Sequence, residues 1–225
     1  MNGLRIAWTI AMHDVSRELR RPVAVSAVLL FGVSSLVVLR LALAGGGKPG
    51  DAVLAGALWV VLVFAALLGT ARAWATERED GAFDALLSAP ASRSAVHLGK
   101  VLSALILTLA LHAVLVTMYL GLFGAPPSLG GVATLAAAVA LADVGFAVVG
   151  VLVAGLGLRA RGRDLLGPAM FLPLVIPLVI AAVTCSLAAW DTADASVPQL
   201  LLFLALYDLT FLVAGLAAFP ELAVE

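Results

Sequence analysis

Six stretches of mainly apolar residues, each roughly 20 residues or longer, decide what this chain can fold into, because a helix of that length crosses a ~30 Å hydrocarbon core. They run approximately Pro22–Ala44, Ala52–Ala73, Leu98–Phe123, Leu129–Leu158, Leu165–Ala189 and Pro198–Phe219. In lipid the backbone must satisfy its own hydrogen bonds, which leaves helices or a closed barrel. A barrel would read as short alternating segments, whereas these runs are continuously apolar. Charged residues make up 12% of the chain, against roughly 25% in a soluble domain. That is too little polar surface for a globule in water. The expected fold class is therefore an all-α integral membrane protein with about six transmembrane helices. The fourth run is long enough to tilt or to project from the bilayer.

The first run follows several arginines and ends in Ala42-Leu43-Ala44, which mimics a signal-peptide cleavage site. Its length exceeds the usual 7–15 apolar residues, and Arg40 stands just before the site, so a retained helix is expected. Orientation follows from basic residues in short loops. Eleven of the 13 lie before the first run, between runs two and three, or between four and five, leaving Arg40 and Lys48 on the other side. Both termini and the two basic loops are expected in the cytoplasm. The opposite connectors are short and turn-rich: 45–50, 124–127 and 190–197. No basic patch points to nucleic acid. The single Cys185 allows no intrachain disulfide and no zinc spacing, and it suits apolar packing.

Residues 1–21 are not a random tail. Leu4, Trp8, Ala11, Val15 and Leu19 recur at spacings of three and four, with Arg5, Thr9, His13, Asp14, Arg17 and Arg20 on the other faces. This is an amphipathic helix suited to the headgroup layer, with Trp8 as anchor. It is either a passive anchor or an elbow that passes motion into the first span. A permease domain is expected over 22–219, with a cytoplasmic loop at 74–97 and a short tail at 220–225.

That loop holds the most informative hydrophilic segment, Trp74 to Pro90. Thr76 and Glu79 have capping-box spacing, Gly81 interrupts the helical run, and Asp80 can cap a second short helix with Asp84 in its first turn. Pro90 stops it. Phe83, Leu86 and Leu87 form an apolar stripe rimmed by Glu77, Glu79, Asp80 and Asp84. Such a stripe suits a groove on a cytosolic protein, or equally the membrane surface.

The run Glu77-Arg78-Glu79-Asp80-Gly81, followed by Leu86-Leu87-Ser88-Ala89-Pro90, resembles the signature between the second and third helices of ABC-2-type exporter permeases. More narrowly it resembles the CcmB family, membrane subunits of the haem exporter of cytochrome c maturation. Lys100 falls where that family carries a lysine entering helix three. Arg17-Glu18-Leu19-Arg20 is similar to the family's amino-terminal helix end, and Phe171 to Ile180, with Pro173 and Pro177, to its proline-punctuated fifth helix. Ala82 and Phe83-Asp84 depart from the usual residues. The resemblance implies that Glu77, Arg78, Glu79, Asp80, Gly81, Phe83, Asp84, Leu86 and Leu87 form a coupling helix on a separate ATPase. It further implies a CcmA-like cytosolic ATPase, a second copy of the chain and a CcmC-like haem-handling subunit as partners, in the inner membrane of a bacterium. ATP would act through the partner and haem would be cargo, with no cofactor held by this chain. The chain itself lacks the Gly-x4-Gly-Lys-Ser/Thr loop that cradles phosphates: Gly45 to Lys48 lacks the spacing and runs into Pro49.

Inside the spans, Asp143 and Asp208 stand out, because a charge at a helix centre costs ~2.5–3.5 kcal/mol on insertion scales. Each is either part of a polar path or gate, or a carboxyl that glues helices. His112 could ligate haem iron or simply pack. Arg40 can snorkel to the far interface. Pro168, Pro173 and Pro177 disfavour a straight fifth helix, and Ala138/Ala142 and Gly150/Ala154 permit close helix contact in the fourth. An ABC-2-type permease for a drug, lipid or glycan remains an alternative. A secondary transporter would show inverted repeats, and none is evident. A membrane-embedded enzyme would need clustered catalytic side chains, whereas His112, Asp143 and Asp208 are expected to stand singly on different spans.

Overall fold

The computed structural model describes residues 3–20, 23–45, 49–74, 92–123, 127–156 and 163–222, with the backbone alone at 163–166 and 220–222. The described residues form seven α-helices and no strand: α1 (Gly3–Arg20), α2 (Val23–Ala44), α3 (Asp51–Thr70), α4 (Arg93–Phe123), α5 (Leu129–Leu156), α6 (Arg163–Ala189) and α7 (Val197–Leu222). Six of them, α2 to α7, are long and apolar enough to cross a membrane. The expected all-α membrane fold is what the structure has.

The core is built around α5, which packs on α3, α4, α6 and α7. Two thirds (67%) of its apolar window is buried, against 17% for α2 and α7, which makes those two the peripheral spans. Leu62, Leu115, Phe146, Phe171, Leu178 and Leu204, from five helices, fill one continuous cluster. Helix association in lipid gains from packing rather than from expelling water, so small residues set how close the backbones come. Ala138 and Ala142 are fully buried. Gly150 faces Thr70 so closely that a Cβ there would lie 2.3 Å from its Oγ1. The far end is held by Trp59, whose Nε1 donates to Ser186 Oγ at 2.8 Å between α3 and α6. There too Arg40 Nε donates to the Leu122 carbonyl at 3.0 Å, satisfying one of the acceptors that the end of α4 leaves open.

Two expectations change. Helix α4 begins at Arg93 rather than Leu98 and runs 31 residues, about 46 Å at 1.5 Å per residue, well beyond a ~30 Å hydrocarbon core. Its first turns are a platform outside the apolar zone, and α1 lies on them in the most extensive helix–helix contact of the fold. The apolar face read on α1 also divides. Leu4, Trp8 and Leu19 are exposed, but Ala11 turns with Ala7 into the α4 contact, both fully buried. Small side chains are needed there, since a Cβ on Gly99 would lie 2.9 Å from the Ala7 carbonyl oxygen.

Prolines 168, 173 and 177 all lie inside α6, which continues helically through them. In the turn before Pro177 the Tyr207 hydroxyl of α7 donates to the Leu174 carbonyl. This bond ties α7 to the proline-containing stretch of α6; the carbonyl that Pro177 itself deprives of a donor is that of Pro173, four residues earlier.

Candidate functional site

The residues 75–91 that carry the expected coupling motif, Glu77, Arg78, Glu79, Asp80, Gly81, Phe83, Asp84, Leu86 and Leu87, lie outside the described residues. Their two flanks are described, and both are anchored in the bundle. On one side a turn after α3 ends in Trp74, which is 2% exposed. Its Nε1 donates to the Val151 carbonyl of α5 at 3.2 Å, and its ring stacks on Phe219 of α7 with centroids 5.0 Å apart and 14° between planes. On the other side Ser92 Oγ accepts from the Ala95 amide at 3.3 Å, the usual cap of a helix start, and α4 sets off.

The first turns of α4 then contribute His97 and Lys100 to the same cluster. His97 is fully buried and lies against Phe219, ring centroids 5.2 Å apart. Lys100 Nζ sits 5.4 Å from the Trp74 ring centroid, within cation–π range. It also makes a 2.8 Å ion pair with Asp14 Oδ2 of α1, the side chains being 3% and 15% exposed. Water screens such a pair weakly, and removing one partner would strand a buried charge. Five helices, α1, α3, α4, α5 and α7, thus meet at the two ends of residues 75–91, which we call the near end of the bundle.

The intramembrane residues divide differently from expectation. His112 and Asp143 do not stand singly: His112 Nδ1 and Asp143 Oδ1 are 2.5 Å apart across α4 and α5, and both side chains are 0% exposed. The Phe146 ring meets His112 edge-on at 6.2 Å. Asp208 on α7 makes no hydrogen bond to the pair. It lies against α5 at Gly145, where an added Cβ would be 2.7 Å from its Oδ1. Neither Asp208 oxygen, nor His112 Nε2, nor Asp143 Oδ2 has a hydrogen-bond partner among the described residues. The arrangement suits helix glue at 112 and 143.

Sequence reasoning did not find Trp74, His97 or the Asp14–Lys100 pair as a unit. The signal was present in part. A lysine near the start of an apolar run calls for an acid, and Asp14 lies on the polar side of α1, yet nothing in spacing along one chain tells which helix a surface helix will lie on.

No curated protein matches the chain. A family described as CcmB protein matches residues 5–224, essentially the full length, and so covers both the flanks described here and the motif between them. The chain therefore belongs to the CcmB family, the membrane-embedded permease components of the ABC transporter that exports haem in cytochrome c biogenesis.

Proposed function

We propose that this chain is the part of the transporter that receives mechanical work from a separate cytosolic ATPase, seated on residues 75–91, and converts it into rearrangement of the membrane helices. The observation that carries this reading is the convergence of five helices on the two flanks of that segment. Trp74 hands displacement to α5 and α7, and Lys100 hands it to α1. Displacement at Trp74 reaches α5 and α7 directly, and displacement at Ser92 reaches the bundle through the first turn of α4, where Ala95 and Val96 are buried.

On this reading the near end faces the cytoplasm, and Glu77, Arg78, Glu79, Asp80, Gly81, Phe83, Asp84, Leu86 and Leu87 form the contact with the ATPase. The work is spent on haem export, or on haem release from a haem-handling CcmC-like subunit. A second copy of the chain completes the permease. Asp143, Asp208, His112, Pro173 and Pro177 belong to the moving bundle rather than to a reaction centre.

Purification of the tagged chain in mild detergent, with its partners, tests the proposal. An ATPase should be recovered with the native chain and lost with the Phe83→Asp/Leu86→Asp variant. A folded native chain that brings down no ATPase, or a variant that keeps it, would refute the coupling role.

A further inference from the structure

At the near end, α1, α2, α3 and α4 surround a cleft of about 100 Å³. Its two ends differ in chemistry. Arg17 and Arg72 line its polar end, the mouth, with the nearly buried Lys100 beside them, while Val28, Leu107 and Leu111 line its apolar wall. Arg17 precedes α2, Arg72 follows α3, and Lys100 lies in the opening turns of α4. All three charges therefore sit where spans leave the apolar zone. From Lys100 to Leu111 the helix advances about 16 Å, close to the ~15 Å depth of one leaflet. The cleft thus runs from the headgroup layer toward the bilayer centre.

Asp14 and Glu18 also border the mouth. Asp14 is engaged by Lys100 at 2.8 Å, and the three bases outnumber the two acids. A net positive mouth over an apolar wall is complementary to a phosphate joined to a hydrocarbon chain.

We propose that this cleft holds one phospholipid of the near leaflet, its phosphodiester on Arg17 and Arg72 and the start of one acyl chain along Val28, Leu107 and Leu111. The volume limits what is enclosed. A cavity of ~150 Å³ takes a benzene-sized ligand, so the cleft covers the chain segment next to the headgroup and leaves the remainder in the bilayer. A lipid so placed connects α1 and α2 to α3 and α4, and it touches the lysine that joins α1 to α4. This site is independent of which ATPase, if any, drives the chain.

Native mass spectrometry of the full-length detergent-solubilised protein tests it, with added phosphatidylglycerol, with diacylglycerol of the same acyl chains, and with inorganic phosphate. The native chain should retain one phosphatidylglycerol, and neither diacylglycerol nor inorganic phosphate should displace it. Arg72→Gln, at an exposed position, should weaken retention about tenfold, the loss expected for one charge-assisted hydrogen bond. Leu107→Trp should abolish retention by filling the wall. Equal retention of diacylglycerol would mean unselective lipid contact, and displacement by inorganic phosphate would mean a small-anion site. Either result, unchanged retention in Arg72→Gln, or disulfide cross-linking of two Ala104→Cys chains in membranes would overturn the proposal, the last by showing a second copy seated in the cleft.

Discussion

The near end of the bundle and its middle both bury polar side chains, but on different terms. At the near end Lys100 has a carboxylate on one side and an aromatic face on the other, and the Trp74 N–H has its carbonyl, while both ring nitrogens of the buried His97 lack a hydrogen-bond partner among the described residues. In the middle, His112 and Asp143 satisfy one atom each, and Asp208 none among the described residues. A charge held from two sides, as Lys100 is, has one arrangement to adopt, whereas partly satisfied groups can exchange partners or admit water. The Asp14–Lys100–Trp74 contacts have the character of a rigid joint, and the carboxyls of the middle that of groups able to change partners.

Removing pieces of each region measures that contrast. Trp74→Ala should have the largest effect, a loss of about 3–5 kcal/mol for a fully buried ring, seen as a lower midpoint in thermal or detergent-denaturation curves. If the loss is under about 1 kcal/mol, the near end is not a rigid joint. Asp14→Ala should cost about 3 kcal/mol, because Lys100 is left charged and nearly buried. The double variant Asp14→Leu/Lys100→Met should recover most of that loss, and a double variant no better than Asp14→Ala would show that the pair is not what joins α1 to α4. His112→Ala should have the smallest effect, about 1–2 kcal/mol, since interhelical hydrogen bonds in membranes average ~0.6 kcal/mol with a maximum near ~1.7. A loss as large as that of Trp74→Ala would erase the distinction between the two regions.

The same contrast marks what could be read from the sequence. The spans were legible because an uninterrupted apolar run of bilayer length has few alternatives in lipid; α2, α5 and α6 begin or end within about two residues of expectation. The start of α4 was not. Arg93 to His97 are too polar for a hydropathy reading, and their helix is fixed by α1 lying on them. The family was legible from the 77–90 motif and the proline-rich stretch 171–180, and the full-length match agrees. The pairing of His112 with Asp143 was hidden for another reason. Helices that are apolar nearly all round have no polar face to set their rotation, so the sequence places both residues at mid-span without saying that they point at each other. Ala11 was misplaced on α1 because alanine fits a lipid-facing stripe and a close helix contact equally well.

The stacking of Trp74 on Phe219 joins the first third of the chain to its last helix. During synthesis at roughly 5–20 residues per second, Trp74 waits on the order of 10 s for that ring to emerge. Until then His97 also lacks its neighbour. The near end therefore closes only when the final span has been inserted, and a truncated product stopping before residue 219 would present an unfinished joint, a natural mark for proteolytic disposal.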